Sequence, residues 1–260
     1  MKRSTTRWML VLLVFTLLMG VFTTASAAPK EGLDFFVDLY GWMPNLYADS
    51  ASGSESEIDL DTILDDLQFM VMAIVGVQKD KWTFQADVIY MDLEDDTSST
   101  KNLPHLPGRP GRSVNVNTDI ELKAWAVTPT VSYNVLEKDK FKLDLLAGAR
   151  YFYLDADLQV NLDGVRDHEL SDSDSGSVWD AIVGVRGEIM LSEKWFMPYY
   201  ADVGTGESDL TFNLFGGFGY RFSRVDLMAG WRYLRWNFDD NPVLDNLYIN
   251  GPIAGLKIRF

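Results

Sequence analysis

Four arginines stand in the middle of apolar runs, and each follows a glycine by two positions. The runs are LLAGARYFYL around Arg150, IVGVRGEI around Arg186, GFGYRF around Arg221 and MAGWRYL around Arg232. A guanidinium away from water is costly unless acidic or polar groups pair with it. These four arginines therefore predict a network of ion pairs. The network requires secondary-structure elements that place carboxylates on the same face as the arginines.

β-Strands meet that requirement, because residues i and i+2 of a strand point the same way. Apolar and polar residues alternate with period two in these runs and in others, such as KWTFQADVIY from Lys81. The polar face collects charges of both signs, and the missing side chain of each glycine leaves room beside a guanidinium. The predicted charge network consists of Asp34, Asp38, Asp87, Asp144, Arg150, Asp180, Arg186, Glu188, Asp202, Arg221, Arg232, Lys257 and Arg259.

About ten segments alternate in this way, each near the ~10 residues of a membrane-spanning strand. They begin near Leu33, Leu67, Lys81, Thr118, Phe141, Val178, Trp195, Leu210, Val225 and Leu247. Short polar turns such as KDK and SEK connect them on one side. On the other side we expect loops, because the links 43–66, 94–117, 160–177 and 239–246 are mostly longer and rich in Gly, Ser, Asp and Pro.

Short turns that alternate with long loops predict the fold class: an all-β, transmembrane, antiparallel up-and-down β-barrel of about ten strands, with eight or twelve as the alternatives. Aromatic residues of the apolar face gather near the short turns, as expected of a girdle at a bilayer interface. They are Trp82, Tyr133, Phe141, Trp195, Tyr220, Phe222 and Phe260. A soluble barrel with an apolar core is the alternative that this girdle disfavours. With these faces, arginine at lipid-facing Val183 should cost far more than a polar residue at lumen-facing Ile182.

The N-terminus has the features of a secretory signal. Lys2, Arg3 and Arg7 precede an apolar stretch that is followed by the small residues TTASAA. We expect cleavage after Ala27, which divides the chain into a signal peptide over 1–27 and a barrel domain over 28–260. The full chain carries a net charge of −15 and no cysteine. This acidity disfavours a nucleic-acid partner, and the fold must be stable without disulfides.

The C-terminal segment GLKIRF resembles the terminal signal of bacterial outer-membrane barrels, which is a glycine, hydrophobic residues at alternate positions and a final aromatic. Gly255, Ile258 and Phe260 match this pattern, whereas Ile253 stands where a polar residue is usual. The resemblance implies that the barrel-assembly machinery reads the last strand and that Phe260 serves assembly.

The mature chain as a whole is similar to the small outer-membrane β-barrel proteins of Gram-negative bacteria, of the OmpA/OmpW type. The segments YADVGTGESDLTF, GYRF and GWRYL are similar to a branch of this group without assigned activity. The resemblance implies an outer-membrane location, with lipid and lipopolysaccharide as the surroundings. We expect a monomer that holds no cofactor.

Catalysis would need a base, and the chain has two histidines, His105 and His168. Both fall in predicted loops, and the acids beside His168 in RDHEL have no matching carboxylate motif elsewhere. We therefore predict that the protein is not an enzyme. The segment QVNLDGVRDHE approaches a calcium loop, but Gln159 and Leu170 stand where acidic ligands are required. No metal site is predicted.

The strand number bears on transport, because barrels of about eight strands are nearly filled by side chains and those of 16 to 18 leave a channel. Phe36, Phe152 and Trp236 would narrow a ten-stranded lumen further. We predict an outer-membrane barrel with a charged, largely side-chain-filled lumen, which serves a structural role or forms a narrow, cation-preferring, porin-like pore. The alternative is a surface enzyme or an adhesin-type binding module built on the extracellular loops.

Overall fold

The computed structural model describes residues 32–50, 55–58, 67–102, 113–163, 168–238 and 244–260. The predicted signal peptide lies outside these ranges. Within them no helix is long and apolar enough to cross a membrane. The strands are β1 (Asp34–Trp42), β2 (Asn45–Ser50), β3 (Glu55–Ile58), β4 (Leu67–Lys79), β5 (Trp82–Asn102), β6 (Ser113–Lys138), β7 (Phe141–Asp163), β8 (His168–Met190), β9 (Trp195–Gly206), β10 (Leu210–Arg221), β11 (Val225–Asn237) and β12 (Leu244–Arg259).

The sheet closes on itself. Strands β4 to β12 pair antiparallel with their neighbours in the chain, and β1 pairs with both β4 and β12. Ten strands form the wall, because β2 continues the line of β1 along β12, and β3 forms a hairpin with β2. The predicted antiparallel up-and-down barrel of about ten strands is confirmed.

A proline separates β1 from β2. Pro44 has no N–H to donate to the ladder, so the strand is interrupted there. The neighbouring Met43 N–H still donates to the Pro252 carbonyl at 2.9 Å. The pairing with β12 resumes at Asn45, opposite Asn250.

The two ends of the barrel differ, as the pattern of links predicts. At one end, called here the short-turn end, two to four residues connect β4 to β5, β6 to β7, β8 to β9 and β10 to β11. Asp80 in the first of these turns has φ 53°, a left-handed conformation that aspartate tolerates better than most residues. The opposite end, called the long-loop end, carries longer links, such as the ten residues between β5 and β6, together with the three-residue turn between β9 and β10.

Two of the predicted loops are largely strand, which corrects the sequence interpretation. Strands β5 and β6 stay paired up to Asn102 and Ser113, and β7 and β8 up to Leu162 and His168. These outer segments lack the regular alternation of apolar and polar residues that marks a half-buried strand, so their sequence favoured loops. Backbone hydrogen bonds hold these extensions together regardless.

The extensions form a four-stranded sheet above the barrel wall. Strand β4 begins at Leu67, opposite Leu93 of β5, and β9 ends at Gly206, opposite Asp180 of β8. Past Leu93 on β5 and before Asp180 on β8, strands β5 to β8 pair with one another and with no other described strand. At about 3.3 Å per residue, β5 rises roughly 30 Å past Leu93. We call this part the β5–β8 extension.

Candidate functional site

The lumen of the barrel has two zones with different chemistry. Charged residues line the half toward the short-turn end, and an apolar cluster fills the half toward the long-loop end. Sequence alternation sets both zones, because all of these side chains occupy inward positions of their strands.

The apolar cluster lies inside the barrel. It consists of Trp42, Met72, Ala126, Phe152, Leu234, Trp236, Phe238 and Leu247, all buried. The Trp236 side chain at its centre is 0 % exposed, and its ring centroid lies 4.7 Å from that of Phe152. These residues come from β1, β4, β6, β7, β11 and β12 and the residue after β11, so the cluster spans the barrel from wall to wall. We call it the apolar plug.

Arg150 lies next to the plug and is the most enclosed of the lumen charges. Its guanidinium donates to Asp202 Oδ2 at 2.5 Å and to Thr211 Oγ1 at 2.8 Å. Tyr200 donates its hydroxyl to the same Asp202 oxygen at 2.6 Å. This arrangement places a fully buried ion pair beneath the apolar plug.

Arg232 joins the charged zone to the plug. Its guanidinium donates to Asp87 Oδ2 at 2.8 Å, to Asn213 Oδ1 at 3.2 Å and to the Tyr40 hydroxyl at 3.1 Å. The Trp42 ring of the plug lies 5.0 Å from its central carbon. Tyr40 in turn donates to Asp87 at 2.5 Å.

Arg186 holds a third cluster on the wall of the charged zone. It donates to Asp144 Oδ2 at 3.3 Å and to the Gln85 side-chain oxygen. The other oxygen of Asp144 accepts a hydrogen bond from Asn134 at 2.7 Å. Four strands, β5 to β8, contribute to this cluster.

The mouth at the short-turn end holds the remaining predicted cations. Arg221 binds Glu188 through two hydrogen bonds of 2.7 and 3.2 Å and contacts Asp226 at 3.3 Å. Arg259 contacts the same Asp226 oxygen at 2.7 Å. Asp226 is a residue that the sequence-based network omits, although it lies at an inward position of β11. The strand predicted from Val225 includes Asp226, so the same alternation could have found it.

A cation resting on an aromatic ring completes this mouth. Lys257 Nζ lies 3.7 Å from Asp38 Oδ2 and 3.8 Å from the centroid of the Phe36 ring. In register, Asp38 is opposite Lys257 and Phe36 is opposite Arg259, so the closing pair of strands β1 and β12 brings them together.

Two predicted members stand apart from the ion pairs. Asp34 lies exposed at the beginning of β1 and pairs with no described cation. Asp180 is directly opposite Arg150 in register, yet it accepts hydrogen bonds from the Ser208 backbone N–H at 3.0 Å and hydroxyl at 2.8 Å. It therefore fastens the tight turn between β9 and β10 to the wall.

The glycines of the Gly-x-Arg runs serve a different purpose from the one predicted. A Cβ on Gly219 would meet the Phe196 ring at 2.3 Å. The guanidinium carbon of Arg221 lies 4.6 Å from the centroid of the same ring. A Cβ on Gly148 would meet the Pro129 carbonyl oxygen at 2.2 Å. The space beside each glycine is thus taken by a ring or a neighbouring strand, not by its own arginine.

The charged zone encloses open space. A cavity of about 400 Å³ lies among these clusters, and its lining reaches Gln78, Glu188 and Arg259 near the short-turn end. It ends at the level of Tyr40 and Arg232, below the apolar plug. The charged half is therefore not filled by side chains, whereas the apolar half is.

Ile182 corrects the expectation for substitutions. It faces the lumen as predicted, but it is 2 % exposed and packs on Gly204. A polar residue there would be enclosed in a dry site, so it would not be tolerated as easily as the sequence-based comparison assumed. Its neighbour Val183 faces outward and is 59 % exposed.

The outer surface is apolar and carries two aromatic belts. Near the short-turn end the rings of Trp82 and Tyr133 meet edge to face at 4.8 Å, and those of Trp195 and Tyr220 at 5.0 Å. The second belt, near the long-loop end, was not predicted. It includes Tyr90, Trp125, Tyr151, Trp179, Trp231 and Tyr248.

A closed antiparallel barrel with a polar lumen, an apolar outer band and aromatic residues at both edges of that band meets the criteria of one architecture. The fold is that of an outer-membrane β-barrel. Comparison of this barrel with solved structures returns several bacterial outer-membrane proteins.

The translocator domain of the autotransporter NalP from Neisseria meningitidis is 13 % identical, with 98 % of each chain covered and a TM-score of 0.44. The outer-membrane protease OmpT from Escherichia coli is 12 % identical over 90 % of this barrel chain and 99 % of its own, with a TM-score of 0.45. Neisserial surface protein A is 16 % identical over 90 % of this chain and 100 % of its own, with a TM-score of 0.36. No family model matches the sequence, and no curated protein matches it either.

The candidate catalytic and metal residues are not assembled into a site in the described part of this barrel. His168 begins β8, opposite Leu162, and His105 lies outside the described ranges. Gln159 and Leu170 lie on the two paired strands of the β7–β8 hairpin, which is not the backbone of a calcium loop. Among the described residues no three His, Cys, Asp or Glu side chains converge on a point that could hold a metal.

The sequence interpretation placed Phe152 and Trp236 in the lumen but did not predict that they join one apolar cluster. The sequence contains an indication of this cluster. On β11 the inward residues change from the charged Arg232 to the apolar Leu234 and Trp236. Phe152 does the same after Arg150 on β7. Which inward residues meet across the lumen depends on the register of strands far apart in the chain.

Proposed function

We propose that this protein is an integral, monomeric outer-membrane barrel that does not conduct ions and that anchors a β-sheet at the cell surface. The barrel-assembly machinery inserts it, and lipopolysaccharide and lipid surround it. The observation that carries the proposal is the apolar plug centred on Trp236.

The outer band supports the membrane position. On β5 and β6 the two belts are eight residues apart, from Trp82 to Tyr90 and from Tyr133 to Trp125. Eight residues span about 27 Å along a strand, which a tilt of about 40° reduces to roughly 20 Å. That height is close to the apolar band of outer-membrane barrels, about 25 Å. The short-turn end then faces the periplasm and the long-loop end faces outward.

The apolar plug supports a closed lumen. An ion that passed the plug would leave the water of the charged cavity and meet mainly carbon, while the Arg150–Asp202 pair next to the plug is already neutralised. Hydrophobic constrictions exclude water and ions even where a narrow gap exists. The cavity of the charged zone is therefore closed at its outer end, and we call it the charged well.

Single-channel recording in a planar bilayer tests this proposal. The refolded wild-type protein should show no discrete steps, whereas the double variant Trp236→Ala/Phe152→Ala should conduct, because it removes the two rings that meet at the centre of the plug. The variant Trp231→Ala, which removes an outward indole from the same strand, is the matched control and should stay silent.

Discrete steps in the wild-type protein would contradict the closed lumen. If those steps were cation-selective under a salt gradient, they would favour the narrow, cation-preferring pore. The charged well would then be part of its path, and the acidic β5–β8 extension would concentrate cations at its mouth.

A second function, adhesin-type binding at the surface, is favoured by the β5–β8 extension. Its outward face is acidic close to the rim. Directly opposite one another lie Glu94, Glu121 and Asp157 on β5, β6 and β7, and one step lower Asp92 and Asp155 flank Lys123. Like charges on adjacent strands are unfavourable, so a cationic partner would relieve them.

Shortening the two hairpins at paired residues tests the second function. Residues 92–123 and 155–175 are each replaced by Asn-Gly, which removes the acidic rim, joins paired residues in register and supplies a tight turn. Cells that carry the shortened barrel should adhere less to a cationic polymer surface than cells with the full protein, and equally to an uncharged one. Equal adhesion to the cationic surface would exclude this role.

We also propose that the protein has no catalytic activity. His168 begins β8, at the end of that strand away from the charged well, and none of the described residues that line the well is a histidine. Replacing both His105 and His168 with alanine should change none of the outcomes above. Loss of any of them in that variant would point to a role for histidine.

A further inference from the structure

Arg235 differs from every other described strand arginine. The arginines at 150, 186, 221, 232 and 259 point into the lumen, and each lies within ion-pair distance of a carboxylate. Arg235 lies at an outward position of β11 and forms no ion pair with any described carboxylate. A cation on the outer wall without a carboxylate requires another anion.

The guanidinium of Arg235 is only partly used. It is partly buried, and of its five N–H donors one is engaged, in a 2.6 Å hydrogen bond to Asn246 Oδ1. Its Nε is enclosed and has no hydrogen-bond partner. Because Asn246 accepts through its oxygen, its amide NH₂ is turned to the same neighbourhood as a further donor.

Aromatic residues flank this group in the sheet. In register Arg235 lies between Phe212 of β10 and Tyr248 of β12. Phe212, Tyr233, Tyr248 and Tyr47 form a ladder of nearly parallel rings, with centroids 5.4, 6.0 and 4.7 Å apart. Such a wall restricts the rotamers of a long side chain and lowers the entropy lost when it binds a ligand.

The level of Arg235 is that of lipid headgroups. Along β11 it is four residues beyond the exposed Trp231, and it lies opposite Tyr248, another residue of the second aromatic belt. With the membrane position proposed above, on which this inference rests, that level holds the headgroups of the outer leaflet. Hydrocarbon lies below it.

The two sides of the barrel are charged differently at this level. On β5 to β7 the outward side chains are mostly acidic, and Lys123 is paired with Glu121 at 2.5 Å. Around Arg235 the outward neighbours are aromatic or carry amides, such as Asn246 and Asn250. Asp49 lies opposite Asn246 on β2, and it makes no ion pair with Arg235. An anion is therefore repelled on one side and attracted on the other.

We propose that Arg235 and Asn246 bind a phosphate group of an outer-leaflet glycolipid. A guanidinium presents paired N–H donors that match two phosphate oxygens, and it is the side chain best suited to this contact. The ring ladder packs beside the sugar and acyl parts of the same molecule. One phosphorylated lipid is thereby held at a fixed place on the wall formed by β10, β11 and β12.

Native mass spectrometry of the intact barrel, released from detergent micelles that contain lipid A with its phosphates, tests this site. Arg235→Gln should weaken lipid A retention about ten-fold, which corresponds to one charge-assisted contact. The lipid A retention of Arg235→Lys should fall between those of wild type and Arg235→Gln. An ammonium keeps the positive charge but lacks the paired N–H donors of a guanidinium. Arg224→Gln, in an exposed turn at the other end, should behave as wild type.

Two further arms identify the source of the phosphate. Lipid A without phosphates should bind wild type and Arg235→Gln equally, and inorganic phosphate alone should not show the ten-fold difference. If inorganic phosphate shows it and lipid A does not, the ligand is free phosphate and the lipid assignment is wrong. Equal retention of phosphorylated lipid A by Arg235→Gln and wild type would overturn the site.

The membrane position is checked separately, by flotation of each variant with phospholipid vesicles and by the slower migration of the heat-unfolded protein on a gel. A wild-type protein that does not float contradicts the proposed function. A variant that floats and is folded, but retains lipid A as well as wild type, contradicts only the Arg235 site.

Discussion

Arg150 binds Asp202, 52 residues further along the chain, although Asp180 is its direct cross-strand neighbour. Both partners of the ion pair have fully buried side chains. The geometry explains the choice, since Asp180 is already engaged by Ser208 and Asp202 is also hydrogen-bonded by Tyr200. Pairing across the lumen ties β7 to β9, two strands that are not adjacent.

Breaking this pair should be the most damaging single change to a lumen charge. Arg150→Met leaves the Asp202 carboxylate buried without its cation, and we expect the free energy of unfolding to fall by about 3–5 kcal/mol. Urea titration of the refolded protein in lipid vesicles measures it. The double variant Arg150→Met/Asp202→Leu should recover part of the loss, because no lone charge remains. A single variant as stable as wild type would show that the pair is not buried.

Polar substitutions on the outer face should destabilise the barrel more than those on the inner face. The test needs an inner position that lines the charged cavity, which Ile182 does not. Val183→Arg places a charge on the outward face and should cost on the order of 2–4 kcal/mol near the midplane of the membrane. Met228→Gln, at an inward position that lines the charged cavity, should cost under about 1 kcal/mol. Both are measured by unfolding in vesicles. Equal costs would mean that Val183 does not meet lipid.

The contact between Gly219 and Phe196 predicts a rescue. Gly219→Val forces its side chain against the Phe196 ring and should destabilise the barrel by about 1–3 kcal/mol through overpacking. The same change in a Phe196→Leu background should cost less, and a double-mutant cycle isolates this coupling. Gly216→Ala on the same strand, where a Cβ meets nothing within 4 Å, is the control. Additive losses would show that the ring moves aside freely.

Removing Phe260 should impair assembly. Its backbone N–H donates to the Phe35 carbonyl at 2.9 Å, so it lies at the seam where β12 meets β1. We expect less folded protein in the outer membrane, measured by the fraction that keeps its unheated gel mobility. Phe260→Tyr, which keeps an aromatic ring, should assemble normally. Normal levels of the truncated chain would separate Phe260 from assembly.

Much of the barrel wall was predictable, because the alternation within each strand indicates which of its residues face the lumen and which face outward. The alternation in KWTFQADVIY places Trp82 and Phe84 outside and Gln85 and Asp87 inside, and the structure has them so. The extensions of β5 to β8 were not predictable by the same means. TSSTKN and SDSDSG lack that alternation and are rich in Ser, Thr and Asp, so their composition favoured loops, whereas backbone pairing makes them strands.

The sequence by itself determined which residues face the lumen, since period-two alternation is a local property of the chain. It also determined that the lumen holds cations and carboxylates in similar numbers. Only the tertiary structure decided which of them pair, that Asp180 holds a turn, and that the rings of Trp236 and Phe152 meet inside the barrel. The physical reason is that partners across a lumen are fixed by closure of the sheet and by the register of distant strands, and neither is written in any single segment.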